Sequence, residues 1–302
     1  MGGNVFNATD KIKREDIEPT LGKFYQQLGT IFPKASKYFK DIKPLGSVGK
    51  KEYSGDIDLA MGERSLIQVE DWDLDRSKIV ELYRNHKQRA RSATNRQLIK
   101  RAVLDTIADK IEESNTDIGV DKKSSSTGTL FFVFPQYNPQ GKQSNIGVQI
   151  DINFGNLDWL SFAYYSANYS GNVKGLHRTQ LMLALFSNLG YTFSHNYGVK
   201  DKETQKIVAK SPSKAIDLLT KSYNIKFTSE ILEDYFKLIE FMRNNFKEDV
   251  LNSILDRFIK ILDSTRADIP EDLQPYWIDN QERLGLKGKF LPDDSKLTMY
   301  KV

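Results

Sequence analysis

Leu45-Gly46-Ser47-Val48-Gly49-Lys50-Lys51-Glu52-Tyr53-Ser54-Gly55-Asp56-Ile57-Asp58-Leu59 is the stretch that decides the fold of this chain. A small-residue turn carrying a hydroxyl, Gly46-Ser47, precedes two carboxylates at alternate positions of an apolar run. Residues i and i+2 of a β-strand project from one face, so Asp56 and Asp58 point together while Ile57 and Leu59 enter a core. Two like charges so placed repel, and a divalent cation between them relieves the repulsion. Hard oxygen ligands of this kind suit Mg²⁺ or Mn²⁺. The same letters also fit an ordinary hairpin with Asp at its solvated face, because Gly, Ser and Asp are common at turns.

A second strand offers a third carboxylate. Val148-Gln149-Ile150-Asp151-Ile152-Asn153-Phe154 alternates apolar and polar residues, which places Gln149, Asp151 and Asn153 on one face. Gly-Ser, a spacer and Asp-x-Asp, followed by a later Asp-bearing strand, resembles the signature of the DNA polymerase β-like nucleotidyltransferase superfamily. The segment Ser54-Gly55-Asp56-Ile57-Asp58 is most similar to its family X DNA polymerases. The resemblance implies an α+β fold with a mixed-sheet palm. It also implies two Mg²⁺ or Mn²⁺ ions held by Asp56, Asp58 and Asp151, and in-line transfer of a nucleotide from an NTP or dNTP to an acceptor hydroxyl with release of pyrophosphate. Asp56 and Asp58 would hold both ions, and Asp151 would share one beside the acceptor and take its proton. Backbone N–H groups around Gly46, Ser47 and Val48, with the Ser47 hydroxyl, would cradle the phosphates in a turn-to-helix anion site. Lys50 and Lys51 would neutralise pyrophosphate, or are simply solvated.

Composition fits this reading. The chain has 302 residues, 39% hydrophobic and 28% charged, enough for a full hydrophobic core in one large or two modest domains. No apolar run is long enough to span a bilayer, the polar start Met1-Gly2-Gly3-Asn4 does not read as a signal peptide, and Phe6 breaks the myristoylation pattern. The absence of Cys excludes disulfides and thiolate metal sites and fits a cytoplasmic protein, while three scattered His residues argue against zinc. The net charge of +4 is uneven. Between Leu82 and Leu104 the chain carries Arg84, Lys87, Arg89, Arg91, Arg96, Lys100 and Arg101 and no acidic residue. Ile99, Val103, Ile107 and Ile111 recur at helical spacing, which predicts an amphipathic helix with a basic outer face. Arg89, Arg91, Arg96 and Lys100 are the candidates for holding a nucleic-acid backbone, against the alternative of a solvated surface helix.

Along the chain, Lys11 to Phe32 reads as a helix, Lys43 to Ser47 and Asp56 to Met61 as strands, and Trp72 to Ser114 as a helical excursion. Lys122 to Gly128 reads as a mobile loop, and Thr129 to Phe134 and Gln143 to Phe154 as paired strands. Beyond Asp151 the resemblance extends into a thumb-like order of helix, hairpin and short helix. It includes His177 to Leu189 ending at Gly190, the hairpin from Tyr191, and a helix opened by Ser211-Pro212. Tyr164 and Tyr165 fall where family X has an aromatic pair near the nucleotide sugar, or are core aromatics. Lys174 or Arg178 would serve nucleotide contacts, or are solvated. The Gly-Ser after that aromatic pair is replaced by Ser166-Ala167-Asn168-Tyr169-Ser170-Gly171, and the residues that would face a base pair are displaced. No helix-hairpin-helix element precedes Gly46, so the lyase-type domain of larger family X members is not expected. Amphipathic stripes over 231–246 and 251–262 predict a packed αα-hairpin.

The expected division is a catalytic palm over 1–160 with a basic helical insertion at about 72–114, a thumb-like region over 161–225 and a helical annex over 226–302. Three functions compete. The first is a polymerase or terminal transferase acting on a nucleic-acid 3′ end. The second transfers a nucleotide to a protein, a small molecule or another nucleotide, and the third is a catalytically silent nucleic-acid-binding module. The three carboxylates argue against the third.

Overall fold

The computed structural model describes residues 9–90, 93–169 and 171–286. In chain order the elements begin with β1 (Ile12–Lys13), α1 (Arg14–Ile31), β2 (Lys43–Pro44), β3 (Tyr53–Ser54) and β4 (Ile57–Gly62). They continue with α2 (Arg64–Ile67), α3 (Arg76–Arg89), α4 (Asn95–Glu112), β5 (Gly119–Asp121), β6 (Thr129–Tyr137) and β7 (Gln143–Gly155). Next come α5 (Leu157–Ala163), α6 (Gly175–Asn188), β8 (Tyr191–Ser194), β9 (Gly198–Asp201), β10 (Ile207–Ala209) and α7 (Pro212–Tyr223). The last are α8 (Ser229–Glu233), α9 (Tyr235–Asn245), α10 (Glu248–Thr265) and α11 (Gln274–Leu284).

The fold is α+β, built on a mixed five-stranded sheet of order β2-β4-β7-β6-β5. β4 and β7 run parallel, and the other neighbours run antiparallel. The register sets Asp58 directly opposite Asp151. Ile57, Leu59, Met61, Ile150, Ile152 and Phe154 enter a core with Phe24 and Leu28 of α1 and Val103, Ile107 and Ile111 of α4. Strand alternation then sends Asp58, Ala60, Gln149, Asp151 and Asn153 to the opposite face. There Ala60 packs with Leu45 and Leu160. A second core spans residues 159–284 and draws on α6, the β8-β9-β10 sheet and α7 to α11 together.

Several local expectations change. The strand expected over Lys43 to Ser47 stops at Pro44, because Gly46 turns left-handed at φ 61°. Gly49 is also left-handed, at φ 71°, so no helix follows the turn and the expected turn-to-helix anion site is a plain turn leading to β3. The segment expected to be a mobile loop at Lys122 to Gly128 is a turn held by neighbours: the Tyr197 hydroxyl donates to the Ser126 carbonyl and the Asn196 amide to that of Thr127. The stripes of α9 and α10 both face α6 rather than forming chiefly a hairpin with each other, and α10 lies along α6. α5 and α11 were not expected. α5 starts where the Asn156 side chain accepts from the Trp159 N–H, an N-cap that the sequence carries in plain view. No helix among the described residues is long and apolar enough to cross a membrane.

Candidate active site

β4 and β7 bring three carboxylates together. Asp56 stands just before β4, Asp58 is its second residue, and Asp151 faces Asp58 across the parallel ladder. One oxygen from each carboxylate lies within 4.8 Å of the others. This proximity has an electrostatic cost. Enclosure by protein holds the Asp58 carboxyl well above the ordinary range, and the charges of Asp56 and then Asp151 push it further. Burial raises Asp151 to about 7, the amide donor of Gln149 works against that shift, and Asp56 adds to it. An all-oxygen cluster whose members destabilise one another's charge fits hard divalent cations such as Mg²⁺ or Mn²⁺.

The Gly46 turn closes one side of the cluster. A Cβ placed on Gly46 would stand 3.6 Å from Asp58 Oδ2 and 3.8 Å from the Tyr164 carbonyl, so the turn, the carboxylate and the segment after α5 converge. The Leu45 N–H donates to the Asp58 carbonyl and the Val48 N–H to that of Leu45. The Val48 donor is thus spent within the turn and drops out of the expected cradle, which leaves Gly46, the Ser47 N–H and the Ser47 hydroxyl. The Lys50 ammonium donates to the Ser166 carbonyl at 2.7 Å and lies 5.0 Å from the centre of the Tyr165 ring. Lys51 is exposed on the same loop.

Tyr164 belongs to the site. Its hydroxyl donates to Asn153 Oδ1 at 2.8 Å, and its ring lies 5.0 Å from that of His195. Burial, then Asp58 and Asp151, keep that hydroxyl protonated. Arg178 does not belong to it. This side chain is fully buried, with Nε donating to the Leu232 carbonyl and Nη1 to those of Phe162 and Ala163, so the expected nucleotide contact is replaced by a cap on the C-terminal end of α5. Burial lowers its pKa to about 10. Lys174 is exposed and pairs with Asp268 at 2.9 Å.

The basic hairpin of α3 and α4 lies behind the sheet. α4 packs on the face opposite the three carboxylates, and α3 packs on α4. Lys100, expected on the outer face, is buried: its ammonium donates to the Phe154 carbonyl and lies over the Tyr197 ring, and burial lowers its pKa to about 8. The reason is periodicity, because Leu98 and Ala102 turn inward on either side of it while Ile99 is 49% exposed. Arg96 is exposed and paired with Glu63. Arg84, Lys87 and Arg89 are exposed on α3, and Arg91 lies outside the described residues.

No family model matches the chain, and no curated protein matches it.

The residues that the sequence reading left without a role are Gln149 and Asn153. Both share the face of Asp151, and the alternation that singled out Asp151 marks them equally.

Proposed function

We propose that the chain is a metal-dependent nucleotidyltransferase of the polymerase β-like kind, its five-stranded sheet serving as the palm and residues 161–225 as a thumb-like region. What carries the reading is the register of the one parallel ladder described in that sheet, which sets Asp58 opposite Asp151 with Asp56 beside them and the Gly46 turn against Asp58. Asp56, Asp58 and Asp151 are the residues that would hold Mg²⁺ or Mn²⁺. When bound, the ions supply Lewis-acid activation of the acceptor hydroxyl and neutralise charge on the triphosphate and the departing pyrophosphate. The chain's own part is placement. Gly46 lets phosphates approach the backbone without a side chain in the way, and the Ser47 N–H and hydroxyl are available as donors to them. Tyr164 stands beside Asp58 and Asp151 and packs against the second core. Asp151 would share one ion beside the acceptor and take the acceptor's proton.

For the acceptor, the geometry favours a hydroxyl on a protein, a small molecule or a second nucleotide over a nucleic-acid 3′ end. The specific observation is the position of the basic hairpin on the far face of the sheet, with Lys100 inside the protein. Incubation with each labelled NTP and dNTP, Mg²⁺ or Mn²⁺, and a panel of DNA, RNA and tRNA primers tests both parts. Labelled protein or a small labelled product is the expected outcome. Primer extension would return the acceptor to nucleic acid, and absence of any turnover or nucleotide binding would overturn the reaction class.

A further inference from the structure

Asp151 is flanked on its own face by two buried amides, Gln149 at 2% exposure and Asn153 at 1%. Burying a primary amide is costly unless its donors and acceptor are matched, and here Gln149 is matched by a carboxylate of the cluster and Asn153 by groups beside it. Gln149 Nε2 donates to Asp151 Oδ1 at 2.8 Å. One oxygen of Asp151 thereby carries a hydrogen bond from the protein, which restrains the carboxylate. Asn153 works on the other two walls. Its Nδ2 donates at 3.3 Å to the carbonyl of Leu59, the residue after Asp58, and so ties β7 to β4 beside the second carboxylate. Its Oδ1 accepts from the Tyr164 hydroxyl and from the Thr129 hydroxyl, each at 2.8 Å. Tyr164 is thus held at its ring tip by Asn153, while its backbone carbonyl abuts the Gly46 turn.

We propose that Gln149 and Asn153 are positioning residues: Gln149 aims Asp151 so that it offers a single oxygen, and Asn153 fixes Asp58's strand and Tyr164 relative to that oxygen. The proposal rests on the nucleotidyl-transfer reading and adds to it a geometric requirement on the strand that carries Asp151. A ligand whose orientation is held by a hydrogen bond loses affinity for its ion when that bond is removed, commonly by about 10- to 100-fold in affinity or activity. A purely structural amide would instead change melting temperature and leave ion affinity in the folded protein intact.

The test uses the full chain and Mn²⁺ alone, titrated by calorimetry, with nucleotide transfer measured alongside at saturating metal. Gln149→Met keeps length and volume and deletes the donor. It is expected to weaken Mn²⁺ by roughly 10- to 100-fold and to lower kcat while leaving KM for the nucleotide within about twofold. Tyr164→Phe is expected to lower kcat and Asn153→Leu to lower it at least as far, with the double variant no worse than Asn153→Leu alone, because the Tyr164 bond is already lost there. Folded Gln149→Met with wild-type Mn²⁺ affinity overturns the role of Gln149, and additive losses in the double variant overturn that of Asn153. Should Asn153→Leu fail to fold, Tyr164→Phe with unchanged kcat overturns the latter alone. Wild-type protein that binds no Mn²⁺ would instead overturn the reading on which the proposal rests.

Discussion

Replacing Asp58 by Asn removes one member of a cluster whose charges disfavour one another, so the variant is expected to fold as well as the parent or better in the absence of metal. Transfer should fall by at least about 10² to 10³, and the same holds for Asp56→Asn and Asp151→Asn. Steady-state rates beside denaturant melts check both halves, and wild-type turnover from any one of the three would remove that residue from the centre. Gly46→Val adds a branched side chain at φ 61°, where L-residues carry a strain of about 1–2 kcal/mol, and sends it toward Asp58 Oδ2. Calorimetric NTP affinity should drop by about tenfold or more in the folded variant. His195 gives the pH dependence. Burial lowers its imidazole from the ordinary 6.5 to about 4, so the unfolded chain takes up a proton before the folded one does. Stability from this residue is full above pH 6.5 and declines as pH falls toward 4, by an amount on the order of 3 kcal/mol. Urea unfolding of wild type and His195→Phe from pH 7 to pH 4 should show the wild type losing ground relative to the variant; a constant gap would refute it.

At the scale of elements, the two central strands were legible because a period of two with Asp on one side and Ile, Leu or Val on the other has few other readings. Ser211-Pro212 and Gly190 likewise marked boundaries by local chemistry: Ser211 caps α7 and Gly190 is left-handed. The roles of Lys100 and Arg178 were not legible. Both are cations whose partners are backbone carbonyls far along the chain, Phe154 for one and Phe162, Ala163 and Leu232 for the other, and carbonyls leave no trace in a sequence. In the hairpin of α3 and α4, Lys100→Gln is expected to cost about 1–3 kcal/mol by leaving the Phe154 carbonyl without its charged donor, a loss that urea melts would register. Gln at Arg84, Lys87 and Arg89, all exposed, should shift stability by no more than about 0.5 kcal/mol. With the carboxylates on the other face of the sheet, that triple variant should also keep its transfer rate. A steep fall in transfer, with a flattened salt dependence of acceptor binding, would bring nucleic acid back to this surface.

For the whole molecule, the proposed ion binding would be linked to folding. A ligand that binds only the folded chain stabilises it by about 2.7 kcal/mol at a hundred times its dissociation constant. Mg²⁺ or Mn²⁺ should therefore raise the wild-type melting temperature and leave that of Asp58→Asn unmoved, a comparison that needs no substrate. The parallel pairing of β4 with β7 has a kinetic consequence as well. Asp58 and Asp151 are roughly ninety residues apart, and the entropy of closing so long a loop must be met before the pairing rewards it. Helix content can therefore recover during refolding before the cation site exists. In a stopped-flow experiment, uptake of Mn²⁺ should lag the far-ultraviolet signal, so the ion reports the last closure of the chain rather than its first collapse. On the proposed function, a newly made copy would be blind to metal, and chemically inert, until its sheet is whole.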